Sequence, residues 1–161
     1  MRKVLCHIRW TIRRDTPEVL AIENAVYEYP WGEDDFVRCL RQRNCIGLVA
    51  EHNEQVVGFV IYELHKSRLH MLNMAVHPDY QRKGVGTQLI QALLKKLHPD
   101  RRSRIMLEVR ETNLAAQLFF RAVGGRAISV LREFYEETDE DAYLIQIRLP
   151  GTTPALEEAP A

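Results

Sequence analysis

From position 7 to 13 the apolar residues Ile8, Trp10 and Ile12 alternate with polar ones, the period-two pattern of a half-buried strand. Thr16 then offers an N-cap, with Pro17 at the first helical position, where its missing N–H costs nothing. A helix to about Tyr27 follows, its faces set by Val19, Leu20, Ile22, Glu23 and Val26. Tyr29-Pro30-Trp31-Gly32 breaks it, and 33–43 predicts a short second helix that buries Phe36, Val37 and Leu40. The runs 46–51 and 56–65, joined by His52-Asn53-Glu54-Gln55, read as a hairpin, and 68–76 adds a third strand to an antiparallel meander. Apolar positions 85, 89, 90, 93, 94 and 97 form a helical stripe. The run 104–109 suits a buried strand, and 113–123 is helical until Gly124-Gly125 stops it. Strands at 126–134 and 143–149 close the pattern.

The order β-α-α-β-β-β-α-β-α-β-β contains a strand-helix-strand passage across 68–109, which needs a parallel crossover. One mixed, mostly antiparallel sheet of seven strands flanked by four helices is therefore expected, an α/β (α+β) fold in a single domain over 1–149. The 161 residues are 46% hydrophobic, enough for one core, and the stretch 150–161, with three prolines and no periodicity, is expected to be a disordered tail. Twenty-two Lys and Arg balance 22 Asp and Glu, which argues against a dedicated nucleic-acid or membrane binder. No apolar run reaches the about 20 residues that span a bilayer, and the start has no signal-peptide pattern, so a cytosolic protein is expected. Cys6, Cys39 and Cys45 form no CxxC pair, and the six histidines have no ligand spacing, so metal-free chemistry is expected. Trp10, Met71 and Met74 read as packing residues.

The most informative segment is 81–87, which sets two glycines and several free backbone N–H groups between a strand and the first turn of a helix. Such a turn can cradle a phosphate, and Arg82 and Lys83 add full charges beside it. It is not a P-loop, since GxxxxGK[ST] is absent, and it lacks the third glycine of the dinucleotide fingerprint. Residues 81–104 hold seven basic side chains and one acidic, whereas 133–141 hold six acidic and none basic, predicting ligands of opposite sign. Glu108 interrupts the apolar run Ile105, Met106, Leu107, Val109, and a carboxylate there is either a general base or a structural partner of a cation such as Arg110.

Gln81-Arg82-Lys83-Gly84-Val85-Gly86, preceded by Val76-His77-Pro78, resembles the coenzyme A pyrophosphate loop of the Gcn5-related N-acetyltransferase superfamily. Together with Tyr29-Pro30-Trp31, 74–84, 107–113 and the closing strand, the pattern is similar to the ribosomal-protein-alanine N-acetyltransferase (RimI-type) family over about 8–149. The resemblance implies acetyl-CoA as co-substrate and a protein or peptide N-terminal α-amine as acceptor, a ribosomal protein being one candidate, by direct attack in a ternary complex. It places Met74, Ala75 and Val76 along the acetyl and pantetheine arm, and Gln81, Arg82, Lys83, Gly84, Val85, Gly86 and Thr87 around the pyrophosphate. Asn113 contacts the pantetheine or phosphate arm, beside its plain reading as an N-cap. Glu108 matches the family's proposed base, but the tyrosine that the family carries twelve residues later as proton donor is Phe120 here, which would line the cofactor without donating. The acid function is then absent, supplied by water, or moved to Tyr135, whose other readings are orienting the amine or packing; Tyr29, Trp31 and Phe134 would wall the acceptor pocket, beside the plain reading of Tyr29-Pro30-Trp31 as a helix stop with an apolar lid. His77 is a second proton-relay option, and Gly124-Gly125 replaces the family's glycine-phenylalanine pair. A small-amine or lysine acetyltransferase, and an acetyl-CoA sensor with weak chemistry, are the alternatives.

Overall fold

A computed structural model describes residues 2–149. The expected tail, 150–161, lies outside the described residues. Strands β1 (His7–Trp10), β2 (Cys45–His52), β3 (Gln55–Leu64), β4 (Arg68–Val76), β5 (Arg104–Arg110), β6 (Gly125–Leu131) and β7 (Ala142–Arg148) form a seven-stranded sheet of order β1-β2-β3-β4-β5-β7-β6. The helices are α1 (Thr16–Val26), α2 (Glu33–Leu40), α3 (Val85–Leu94) and α4 (Leu114–Ala122). β4 runs parallel to β5, in register over Arg68–His70 opposite Arg104–Met106, as the intervening helix requires. The chain packs as two compact units, one of residues up to 64 with 71–95, the other of 65–70 with the residues from 96 on, so β4 contributes to both.

In the first unit, Val19 and Ile22 of α1 and Phe36 of α2 bury against Val49, Phe59 and Ile61 of the meander. The hairpin between β2 and β3 is tighter than expected: His52 pairs with Gln55, and Asn53 and Glu54 take positive φ (50° and 63°) in a two-residue turn. The first strand ends at Trp10 rather than position 13. Asp15 explains this, since its buried carboxylate accepts Ile12 N–H at 2.8 Å and binds the Arg9 guanidinium at 2.8 and 2.9 Å, curling Arg13–Asp15 into a 3-10 turn. Asp15, not Thr16, thereby occupies the N-cap position, and Thr16 opens the helix. Trp10 is a correction too. It is 70% exposed because β1 is an edge strand and its outer face is open. Val37 and Leu40, expected in the core, are exposed as well, because α2 is only eight residues long and buries Phe36 alone.

In the second unit, Ile105 and Leu107 of β5 bury with Ile145 and Ile147 of β7, which runs antiparallel to it. Asn113 caps α4, its Oδ1 accepting Ala116 N–H at 3.1 Å. Gly124 ends that helix at φ 97°, and Gly125 begins β6 so close to it that a Cβ would meet the Phe120 carbonyl oxygen at 2.7 Å. The double glycine therefore follows from the way α4 returns onto the sheet.

Candidate active site

The first unit holds the glycine loop. After β4, Pro78–Tyr80 make a 3-10 turn capped by His77, whose Nδ1 accepts Asp79 N–H at 3.0 Å. That bond gives His77 a local structural task at Nδ1. Gln81 ties the loop back to the strand, its Nε2 donating to the Val76 carbonyl at 3.1 Å. Arg82 and Gly84 both take left-handed backbone, φ 62° and 84°, which folds the chain sharply into α3. The first helical bond runs from Gln88 N–H to the Gly84 carbonyl at 3.1 Å, so the amides of Val85, Gly86 and Thr87 precede it. With Lys83 held over the Tyr80 ring at 5.5 Å, this arrangement has the donors and the positive end that a diphosphate needs. The N-terminal segment braces the loop: Val4 N–H donates to the Lys83 carbonyl at 2.8 Å, and Gln88 both accepts Cys6 N–H at 2.9 Å and donates to the Val4 carbonyl at 2.7 Å.

The same unit positions the turn between α1 and α2. Tyr29 is exposed, whereas the Trp31 ring packs on Phe36 at 5.0 Å between centroids and Phe36 on Phe59 at 5.6 Å. The Tyr27 hydroxyl donates to the Met74 carbonyl. Two carbonyls of the 74–76 segment, those of Met74 and Val76, are thus engaged by side chains of this unit, while Ala75 is buried.

In the second unit Glu108 is neither isolated nor paired with Arg110. Its two carboxylate oxygens lie 3.0 and 2.9 Å from His70 Nε2, with both side chains about a fifth exposed. A nitrogen placed equally against both oxygens acts as the donor, which leaves the carboxylate a proton acceptor on its other lone pairs. Arg110 serves the acidic segment instead, binding Glu137 at 2.7 Å and Glu140 and Thr138 at 3.2 and 3.1 Å, while Arg132 takes Asp141 at 3.0 Å. Two arginine charges are thus set against six acidic ones, so the segment keeps most of the negative charge expected to attract a cation. The Arg110 guanidinium also lies 3.9 Å from the Tyr135 ring centre, and Phe134 packs edge-on against Tyr135 at 5.0 Å. Burial, with the Glu108 carboxylate among the lesser causes, pushes the Tyr135 hydroxyl up to about 12, so it stays protonated at neutral pH. Phe120 is buried and packs edge-on against Phe119 at 5.0 Å.

The chain matches the acetyltransferase (GNAT) family over residues 9–124. It is 30% identical over 135 residues to the ribosomal protein bS18-alanine N-acetyltransferase of Escherichia coli, covering 83% of this chain and 90% of that one. The chain belongs to the GNAT family. This acetyltransferase also superposes on the crystal structure of the ribosomal-protein-S18-alanine N-acetyltransferase from Escherichia coli with a TM-score of 0.80 at 25% identity, over 94% of this chain and 99% of the other. An Arabidopsis thaliana protein solved in complex with acetyl-CoA shares the fold at a TM-score of 0.77 and 17% identity, over 89% and 99%.

In this GNAT protein the residues expected from sequence are divided between the units. Met74, Ala75, Val76, the loop from Gln81 to Thr87, Tyr29 and Trp31 belong to the first, and Glu108, Asn113, Phe120, Phe134 and Tyr135 to the second. His70, Gln88, Glu23 and Asn73 were not anticipated. The partners that give them meaning lie 38 to 84 residues away in sequence, beside two local ones, Trp31, eight from Glu23, and Gly84, four from Gln88. No helix among the described residues is long and apolar enough to cross a membrane.

Proposed function

We propose that this N-acetyltransferase moves the acetyl group of acetyl-CoA to the α-amine of a protein or peptide N-terminus, in a ternary complex. The observation that carries the reading is Glu108, a half-buried carboxylate in an apolar strand, held on both oxygens by His70. The relatives' activities support it: the Escherichia coli relative acts on the alanine of a ribosomal protein, which makes such an N-terminus the first substrate to try. A cytosolic setting belongs to the same reading, and the three cysteines, all free thiols, are compatible with it.

The chemistry divides among the chain's own groups. Acetyl-CoA supplies an activated thioester. The amides of Val85, Gly86 and Thr87, with Arg82 and Lys83, hold its diphosphate; Met74–Val76 align the arm that carries the thioester. Glu108 accepts a proton from the substrate ammonium, directly or through one water, and His70 fixes the carboxylate for that task. The free amine attacks the thioester carbon, the C–S bond breaks, and the departing thiolate takes a proton. Water or Tyr135, which is on the unit that carries Glu108, supplies it in this reading; burial, which pushes the Tyr135 hydroxyl up to about 12, makes that group the weaker acid. Phe120 has no hydroxyl to give.

An α-amine with a pKa of about 7.7–8.0 asks far less of such a base than a lysine near 10.4, a difference of roughly 3 to 4 kcal/mol. The test is a reaction with acetyl-CoA and a peptide that starts with alanine and also contains lysine, the product mapped by fragment mass spectrometry. Acetyl on the α-amine supports the reading. Acetyl on the lysine alone, or binding of acetyl-CoA without turnover on any amine, favours the lysine or sensor alternative.

A further inference from the structure

Two buried carboxylates take no part in the proposed chemistry: Asp15, which Arg9 binds, and Glu23. Glu23, near the end of α1, is 2% exposed. Its Oε2 accepts the Trp31 backbone N–H at 2.8 Å, and its Oε1 accepts Asn73 Nδ2–H at 2.9 Å. Both partners are neutral donors. Burial holds its pKa above the ordinary carboxylate value, and the two hydrogen bonds work in the opposite direction.

A carboxylate offers acceptors on both oxygens without carrying a donor of its own, which suits a site with N–H groups on two sides. One of those groups belongs to the backbone of the turn after α1, the other to β4 one residue before Met74. Close by, the Tyr27 hydroxyl binds the Met74 carbonyl, so two polar ties join the α1–α2 connection to the strand segment assigned to the acetyl arm. Beyond the turn, the Trp31 ring leans on Phe36 and Phe36 on Phe59. The apolar stack sets where the ring lies, whereas Glu23 sets where the backbone lies. All of these groups are in the first unit.

We infer that Glu23 is a positioning residue of the acceptor pocket: by holding Trp31 and Asn73 together it fixes the Tyr29-Pro30-Trp31 wall against the strand along which the acetyl group is presented. The inference rests on the acetyl-transfer reading, in which that wall receives the first residues of the acceptor. The role needs hydrogen-bond acceptance and no charge. Glutamine at position 23 can still serve it, because its Oε1 accepts Trp31 N–H while its Nε2 donates to Asn73 once the Asn73 amide turns over. Methionine, of similar length, serves neither partner.

The experiment compares wild type, Glu23→Gln, Glu23→Met and Asn73→Ala on two readouts: steady-state kinetics with the amine that the wild type acetylates, and hydrogen exchange at the Trp31 amide. Glu23→Met should raise the acceptor KM about tenfold, the size of one hydrogen bond to a charged group, with the acetyl-CoA KM and kcat within about threefold. Glu23→Gln should stay within about threefold on all three. Trp31 exchange should accelerate at least about tenfold in Glu23→Met and stay slow in Glu23→Gln. Asn73→Ala cuts only the tie to β4 and keeps the Trp31 bond, so it tests the claim if Glu23→Met does not fold, with an expected acceptor KM rise of about threefold or more. An unchanged acceptor KM in Asn73→Ala, unchanged Trp31 exchange in Glu23→Met, or Glu23→Gln as damaging as Glu23→Met would overturn the inference, the last because it would make the charge essential. If the wild type acetylates no α-amine, the substrate reading falls while the exchange data still decide the role of Glu23.

Discussion

Replacing Glu108 with glutamine removes one charge and one proton acceptor while leaving the strand its shape. His70 Nε2, 2.9 and 3.0 Å from the two carboxylate oxygens, then faces an amide, and a neutral imidazole can accept from the amide N–H by changing tautomer. The structural loss is one charge-assisted hydrogen bond between side chains 18% and 23% exposed, about 1 kcal/mol, or a few degrees in Tm. The catalytic loss is larger. A general base contributes about 10² to 10⁴ in rate, and an α-amine at pH 7 is already about a tenth neutral, which places this case at the low end. We expect kcat at pH 7 to fall about 10²-fold, and at least tenfold, with the acetyl-CoA KM changed less than about twofold, because Glu108 acts on the amine and the 81–87 loop on the diphosphate. The deficit should shrink above pH 8, where solvent supplies the neutral amine. Free-thiol release measured from pH 6.5 to 9 checks this. A folded variant with kcat within threefold of wild type at pH 7 would remove Glu108 from the proton-transfer step.

Gly125→Ala should destabilise the fold by about 2–3 kcal/mol in urea titration, since the new Cβ would sit 2.7 Å from a backbone oxygen that cannot move aside; a change under about 0.5 kcal/mol would contradict that geometry. The Arg9 hydrogen bonds hold the Asp15 carboxyl below its ordinary value, so the stability that it contributes is present above about pH 3.9, the unfolded value, and is lost as pH falls through the lower folded value. Asp15→Asn should therefore lose about 1–3 kcal/mol at pH 7 and show a flatter acid limb than wild type; parallel stability profiles would refute the assignment. Phe120→Tyr should raise kcat if thiolate protonation limits the rate, and an equal or lower kcat would mean that Tyr135 or water already supplies the proton.

Much of the scaffold was legible because its signals are local. Period-two alternation marked the first strand, the polar 52–55 loop between two runs marked the hairpin, the stripe from position 85 marked α3, and Asn113 before an apolar helix marked a cap that the structure forms. Glu108 was legible for the same reason, a charge where its neighbours are apolar. Its partner was not, since His70 reaches it across strands 38 residues apart in sequence, and only the β4–β5 register brings the two together. Trp10 shows the opposite limit: alternation identified a strand but could not say that it lies at the sheet edge with one face open. The acidic stretch at 133–141 was legible as a run of charge, but nothing in the pattern shows that Arg110 and Arg132 bind three of its six carboxylates. Glu23 read as one helix position among others, since its meaning comes from a turn and a strand that arrive later in the chain.

The central claim is that the acceptor is an α-amine. Free-thiol release from acetyl-CoA across short peptides with alanine, serine, methionine or glutamate N-termini, each set beside the same peptide blocked at the α-amine but carrying lysine, tests it most directly. Release is expected with the free N-termini, ranked by first residue, and little with the blocked set. Equal release from blocked, lysine-bearing peptides, or none from any peptide despite acetyl-CoA binding, would contradict it.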